Sequence, residues 1–258
     1  MQQKTSKKKA PRRKVSLWAV LAAVLALVAV IIILVAVGYR NNTDPTNGQS
    51  MATGDFQPIP TDPTVKVEDL EDLESDPYKG LQVTKIGSYS GLFVEDGSDD
   101  VVTRVLMVIV KNTGKRTIQY AQLELSDGEK TAHFTLSTLP PGESAVLLEQ
   151  DRMAYADGKD LTEISIQNVA VFGQEPTLCQ DKLKIQSLDG VLNVTNISGE
   201  DITGDIVIYY KNASSDMLYG GITYRVTIRG GLKADEVKQI TASHFTAKGS
   251  RVMWVTVS

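Results

Sequence analysis

The most constraining feature of the chain is one long apolar segment near its start. Residues 15–38, from Val15 to Gly38, contain no charged side chain and a single hydroxyl group. A helix of this length spans about 36 Å, which exceeds a bilayer hydrocarbon core of about 30 Å. Trp18 lies near the beginning of the segment, where an aromatic ring favours the headgroup region. The sequence therefore predicts a transmembrane helix over residues 15–38, with the lipid membrane as a partner.

The distribution of charge predicts how this helix is oriented. Residues 1–14 carry seven basic side chains and no acidic one. Because basic segments stay on the cytoplasmic side, residues 1–14 are expected to form a cytoplasmic tail and the rest to lie outside, in a single-pass protein of the cell membrane. A cleaved signal peptide is the alternative, with a small-residue site at Ala36-Val37-Gly38. The apolar run is much longer than the roughly 7–15 residues of a signal peptide core, which favours an uncleaved signal anchor.

Composition disfavours several classes of function. The chain has one cysteine and two histidines, so neither a disulfide framework nor a cysteine-based zinc site is expected. Most enzyme chemistry that depends on these side chains is poorly supplied, and we predict no enzyme and no cofactor. The basic tail has no interleaved aromatic residues and adjoins the predicted span, so no nucleic-acid partner is expected.

Residues 39–78 are predicted to form an acidic, proline-rich linker. They hold five of the nine prolines, and residues 41–78 carry nine acidic side chains and one basic. Such a composition buries too little apolar surface to fold alone. Val67, Leu70 and Leu73 are spaced at i, i+3 and i+6, which indicates one short amphipathic helix. This helix is interpreted either as a docking peptide or as nascent structure in a solvated tether.

Residues 79–258 have the pattern of an all-β structure. Short runs rich in Val, Ile, Thr and Tyr alternate with turn residues, which predicts sandwiches or small barrels. Lys111-Asn112 aligns with Lys211-Asn212, and Gly142 aligns with Gly249 further along. This weak internal repeat predicts two tandem Ig-like β-sandwich domains behind a single N-terminal transmembrane helix, at residues 79–176 and 177–258.

Three turn motifs carry a resemblance to a known family. Val-Lys-Asn-Thr (110–113), Leu-Ser-Asp-Gly (125–128) and Leu-Pro-Pro-Gly-Glu-Ser (139–144) resemble the turns of Ig-like domains of the FxLYD kind, although the aromatic residues of the naming motif are absent from 123–127. The whole chain is similar to uncharacterised membrane-anchored proteins of Gram-positive, clostridial-type bacteria. The resemblance implies a β-sandwich placed outside the membrane and implies no activity.

Four acidic residues form one candidate metal site. Glu95, Asp96, Asp99 and Asp100 share a loop with a glycine, and several carboxylates in one loop can bind Ca²⁺. Their spacing does not match an EF-hand, so an acidic hairpin tip is the alternative interpretation.

Four tyrosines are candidate binding residues in the second predicted domain. They could stack on sugar rings or on a partner protein, with core packing as the alternative. Strand alternation requires the two adjacent ones to point to opposite sheet faces, so one is expected in the core. The four are Tyr209, Tyr210, Tyr219 and Tyr224.

These features predict a membrane-anchored, extracytoplasmic binding protein of the cell envelope. Its partner would be an envelope protein or a wall polymer, recognised through strand edges or sheet faces. The alternative is a hydrolase of envelope polysaccharide or peptide that uses Asp and Glu residues. That reaction requires two carboxylates about 5–10 Å apart in a cleft.

Overall fold

The described part of the chain, residues 65–98 and 100–258 of a computed structural model, is built almost entirely from β-strands. The predicted transmembrane helix lies outside these residues. Within them, no helix is long and apolar enough to cross a membrane. One short helix, α1, covers Tyr155–Gly158. The strands are β1 (Lys66–Asp72), β2 (Leu81–Leu92), β3 (Val101–Asn112), β4 (Ile118–Ser126), β5 (Thr131–Leu139), β6 (Ser144–Leu148), β7 (Glu163–Val171), β8 (Leu183–Leu188), β9 (Val191–Asn196), β10 (Ile206–Ala213), β11 (Leu218–Ile228), β12 (Val237–Thr241) and β13 (Ser250–Val257).

The strands fall into two halves with the same order. In the first half, residues 65–172, strands β2-β3-β6 face β5-β4-β7 across one apolar core. In the second half, residues 177–258, β8-β9-β12 face β11-β10-β13 across another. Each strand from β2 to β7 therefore has its counterpart six strands later. The all-β prediction is confirmed.

One sheet runs through both halves. β6 at the edge of the first half pairs in parallel with β11 of the second, joining Ala145 to Leu218 and Val146 to Tyr219. The result is a seven-stranded sheet in the order β1-β2-β3-β6-β11-β10-β13. All described residues belong to one compact unit. The two halves are thus fused through backbone hydrogen bonds as well as side-chain packing.

The internal repeat exists, but its register differs from the predicted one. Asn112 is fully buried, and its amide group donates to Leu139 O and Arg116 O while its Oδ1 accepts from Gly114 N. Asn196, also fully buried, donates to Leu232 O and Glu200 O and accepts from Ser198 N.

The counterpart of Asn112 is therefore Asn196, and the alignment with Asn212 was wrong. Both buried asparagines end a strand, β3 or β9, and bind the turn that precedes β6 or β12. Asn212 instead lies within β10, beside Ser250 of β13. Lys-Asn is too short a signal to fix a register, whereas the buried amide defines it by its contacts.

The acidic segment before residue 79 also differs from the prediction. Residues 66–72, expected as a short helix within a linker, form strand β1, which pairs with β2 in antiparallel register. A bulge lies between Glu68 and Glu71, and Asp69 has a positive φ of 53°. The apolar residues do not share one face. Val67 packs on a third core, a cluster of buried residues that includes Tyr89 of β2, Met107 of β3 and Val146 of β6. Leu73 packs on the first core, and Leu70 is exposed. Pairing with β2 therefore overrides the helical spacing.

Candidate functional site

The acidic loop after β2 joins the two halves. Glu95 directs its carboxylate inward, where Oε1 accepts from Leu148 N at 2.8 Å and Oε2 accepts from Gly221 N at 2.6 Å. Leu148 ends β6 in the first half and Gly221 lies on β11 in the second. One carboxylate thus binds the backbone of both strands close to where they pair. Glu95 therefore has a structural role at this junction.

The other described members of the predicted calcium set have a different partner. Asp96 and Asp100 each form an ion pair of 2.9 Å with Arg152, whose guanidinium lies 4.4 Å from the centre of the Phe93 ring. Asp99 lies outside the described residues. Among the described residues no group of three metal-binding side chains occurs. The three described carboxylates, of Glu95, Asp96 and Asp100, therefore do not converge on one point: Glu95 binds backbone amides, and the other two bind Arg152.

A buried lysine lies at the same junction. Lys211 of β10 is completely buried, and its Nζ donates to Ser137 O at 2.9 Å and Ile222 O at 2.8 Å. Burial lowers the pKa of Lys211 and raises the pKa of Glu95, and the attraction between the two charges partly offsets both effects. Ser137 belongs to the first half, so the lysine, like Glu95, bonds across the junction. Such buried polar groups hold neighbouring elements in one arrangement only when they are hydrogen-bonded.

Backbone atoms approach closely where β11 crosses the first half. A Cβ atom on Gly221 would lie 1.9 Å from Thr135 O, which no side chain tolerates. Gly220 has a φ of +80°, and a Cβ there would lie 2.6 Å from Val94 O. Ser137 Oγ donates to Gly221 O at 2.6 Å. The Gly-Gly pair therefore permits the contact that fuses the two halves.

The four candidate tyrosines lie in different surroundings. Tyr210 is buried in the second core, where it contacts Tyr224 and Phe245. Tyr219 packs on the third core at the junction. Tyr209 points to the outer sheet face, as strand alternation predicts, and stacks on Trp254 with ring centres 3.6 Å apart. Tyr210 is thus a core residue, and the four tyrosines do not form one surface.

A groove lies in the first half, between β7 and the segment that precedes β2. It has a volume of about 510 Å³. One wall is the segment before β2, with Glu74, Asp76 and Tyr78, and the other is β7, with Ile164 and Ile166. We call it the β7 groove. Its carboxylates line only one wall, so the described lining residues do not place two carboxylates facing each other across a cleft, as a glycosidase needs.

Sequence reasoning missed the junction and the groove for one reason. Both are made by residues distant in the chain: Glu95 and Gly221 are 126 positions apart. Nothing in the sequence distinguishes Glu95, whose side chain points inward, from the other acidic residues of its loop. The adjacent glycines at 220–221 are a sequence signal, because glycine within a strand often marks a close approach of two backbones.

Comparison with known proteins adds no functional assignment. No family model, no curated protein and no solved structure matches the chain.

Proposed function

We propose that the chain is a membrane-anchored, extracytoplasmic binding protein of the cell envelope. In this proposal the described residues form two fused Ig-like β-sandwiches that act as one rigid body. The fused seven-stranded sheet carries the proposal, because a binding module must hold its recognition surfaces in a fixed relation. The FxLYD-like turns support the same assignment, since the buried Asn112 amide links two of them.

The junction supports rigidity. Domains that touch only through side chains move relative to one another by default. Here the backbone pairing of β6 with β11 is supplemented by the buried contacts of Glu95 and Lys211 and by an ion pair between Glu143 and Arg251. Opening the halves would break the pairing of β6 with β11 together with the hydrogen bonds of Glu95 and Lys211 across the junction.

Orientation in the membrane is the part of the proposal that a labelling experiment tests. In a Cys179→Ala background, a membrane-impermeant maleimide added to intact cells should modify the Glu129→Cys variant and leave Ser6→Cys unmodified. Glu129 lies in an exposed turn between β4 and β5. After the membrane is permeabilised, both variants should react. Labelling of Ser6→Cys alone in intact cells would contradict the proposed topology.

Binding is tested separately, by crosslinking in the native membrane. Reproducible recovery of the same envelope protein or wall fragment with the intact chain supports a binding role. Hydrolysis of wall polymer or peptide by the purified chain, abolished by substitution of acidic residues, would support the alternative enzyme instead.

A further inference from the structure

We propose that strand β7 binds an extended, basic peptide segment of a partner protein by β-strand addition, with Glu74 and Asp76 pairing with its basic side chains. This rests on the proposed binding function and names the surface and the chemistry of the partner. In strand addition, main-chain hydrogen bonds supply affinity and the alternate side chains supply specificity.

The first argument comes from the second half of the same molecule. There the segment that precedes β8 runs along the free edge of β13, the counterpart of β7: Val255 N donates to Thr177 O at 2.8 Å, and Cys179 Sγ lies 3.6 Å from Val255 O. The edge of β13 is thus covered by an extended chain.

The corresponding segment of the first half takes another path. Leu73 N donates to Thr84 O and Ser75 N donates to Val83 O, so this segment pairs with β2 instead of β7. Within the described residues, β7 pairs only with β4. Among residues 65–98 and 100–258, the same fold therefore covers one edge with an extended chain and leaves the equivalent edge uncovered.

The second argument is that the part of β7 along the groove, residues 163–167, lacks the usual protection of an edge strand. Edge strands avoid unwanted pairing through charges, proline, bulges or a cover. Among the described edges, β1 carries five charged residues, β8 and β12 carry Lys184 and Lys238, and β13 carries Arg251. β5 is covered, since Gln150 N donates to His133 O and Lys211 Nζ donates to Ser137 O. β7 has a single charge, Glu163, at its first position, and no proline; its bulge lies at residues 168–169, so residues 163–167 keep a regular register with β4. Its open edge is therefore suited to pairing.

Charge selects the occupant. Glu74 and Asp76 are exposed on the wall facing β7, and neither side chain has a hydrogen bond or ion pair with another described residue. Residues 41–64 contain three acidic residues and no basic one, so the chain's own preceding segment is repelled. A second copy would bring the same acidic wall with it. A basic segment of another protein can form backbone hydrogen bonds with β7 and ion pairs with Glu74 and Asp76, so it is the occupant that both features favour.

The test uses the full chain in phosphatidylcholine nanodiscs and a fluorescent nine-residue probe, Thr-Val-Thr-Lys-Thr-Val-Thr-Lys-Thr. This peptide places Val and Lys alternately on the side that enters the groove. Fluorescence anisotropy should show saturable binding, and the same peptide with Glu in place of Lys should bind at least tenfold more weakly. N-methylation of alternate backbone amides along one peptide edge should abolish binding.

Charge reversal at the groove locates the site. The Glu74→Lys/Asp76→Lys double variant should bind the basic probe about tenfold more weakly and should reverse the preference toward the acidic peptide. The matched control, Glu129→Lys/Asp151→Lys, changes the net charge equally at exposed positions away from the groove and should keep the affinity within twofold.

Several results would overturn the proposal. These are undetectable binding of the basic probe at millimolar concentration, equal binding of the acidic probe, equal loss in the control variant, or undiminished binding of the N-methylated peptide. Crosslinking of a photoreactive residue at Ser165 to β7 of another copy would show that the edge serves self-association instead. None of these results bears on membrane orientation, which the maleimide experiment decides independently.

Discussion

Replacement of Asn112 by alanine should destabilise the whole described body by about 3 kcal/mol. The side chain makes hydrogen bonds of 2.7 Å to Leu139 O, 2.9 Å to Arg116 O and 2.9 Å from Gly114 N. Each hydrogen bond contributes about 1 kcal/mol net to stability. In the alanine variant, a backbone partner that stays buried without water costs more free energy than a partner that solvent can reach. The expected range is therefore about 2–4 kcal/mol.

Urea unfolding of the full chain in detergent, followed by far-UV circular dichroism, measures this loss. With a denaturant slope of about 3 kcal/mol/M, the midpoint should fall by about 1 M. Asn196→Ala removes the equivalent contacts and should lower the same transition by a similar amount. Asn193→Ala is the matched control, because Asn193 lies on β9, is half-buried and makes no side-chain hydrogen bond with a described residue.

Two results would refute this reasoning. If Asn112→Ala stays within about 0.2 M of the Asn193→Ala midpoint, the buried amide does not stabilise the turn. If Asn112→Ala and Asn196→Ala lower two separate transitions, the halves unfold independently and the fused sheet does not make them one cooperative unit.

Two further predictions concern the junction. Because burial lowers the pKa of Lys211, the unfolded chain binds more protons than the native chain above neutral pH. The free energy of unfolding of the wild type, relative to that of Lys211→Met, should therefore rise between about pH 7 and pH 10 in urea titrations. A flat or falling difference would contradict this. Gly221→Ala should destabilise by about 1–3 kcal/mol or more, since its Cβ would lie 1.9 Å from Thr135 O, whereas Gly173→Ala, with no atom within 4 Å of its Cβ, should unfold at the wild-type midpoint in thermal melts.

The strands were predictable where the sequence alternates without competing signals. Most of the β-rich runs from residue 81 onward correspond to strands, because β-branched residues at a period of two mark half-buried strands wherever they occur. β1 was missed because its leucines have helical spacing and its acidic residues resemble those of a solvated linker. The contact with β2 that makes it a strand is a tertiary effect.

The junction depends on distant pairing and was not predictable. Nothing in the local sequence of β6 or β11 indicates that they pair in parallel across the two halves. Glu95 was singled out as a candidate metal ligand because of its neighbours in sequence, whereas its partners Leu148 and Gly221 lie far along the chain. The repeat was detected in the right regions and assigned the wrong asparagine, because the signal consisted of two residues.

Hydrogen exchange at β7 tests most directly the central claim, that this body acts by binding an extended chain along the edge of β7. The full chain in nanodiscs is exchanged with and without the basic nine-residue peptide, and fragments spanning residues 163–167 are followed by mass spectrometry. The account predicts slower exchange of these amides when the peptide is present, with exchange of β8 and β12 unchanged. Bound peptide with unchanged exchange over residues 163–167 would contradict it.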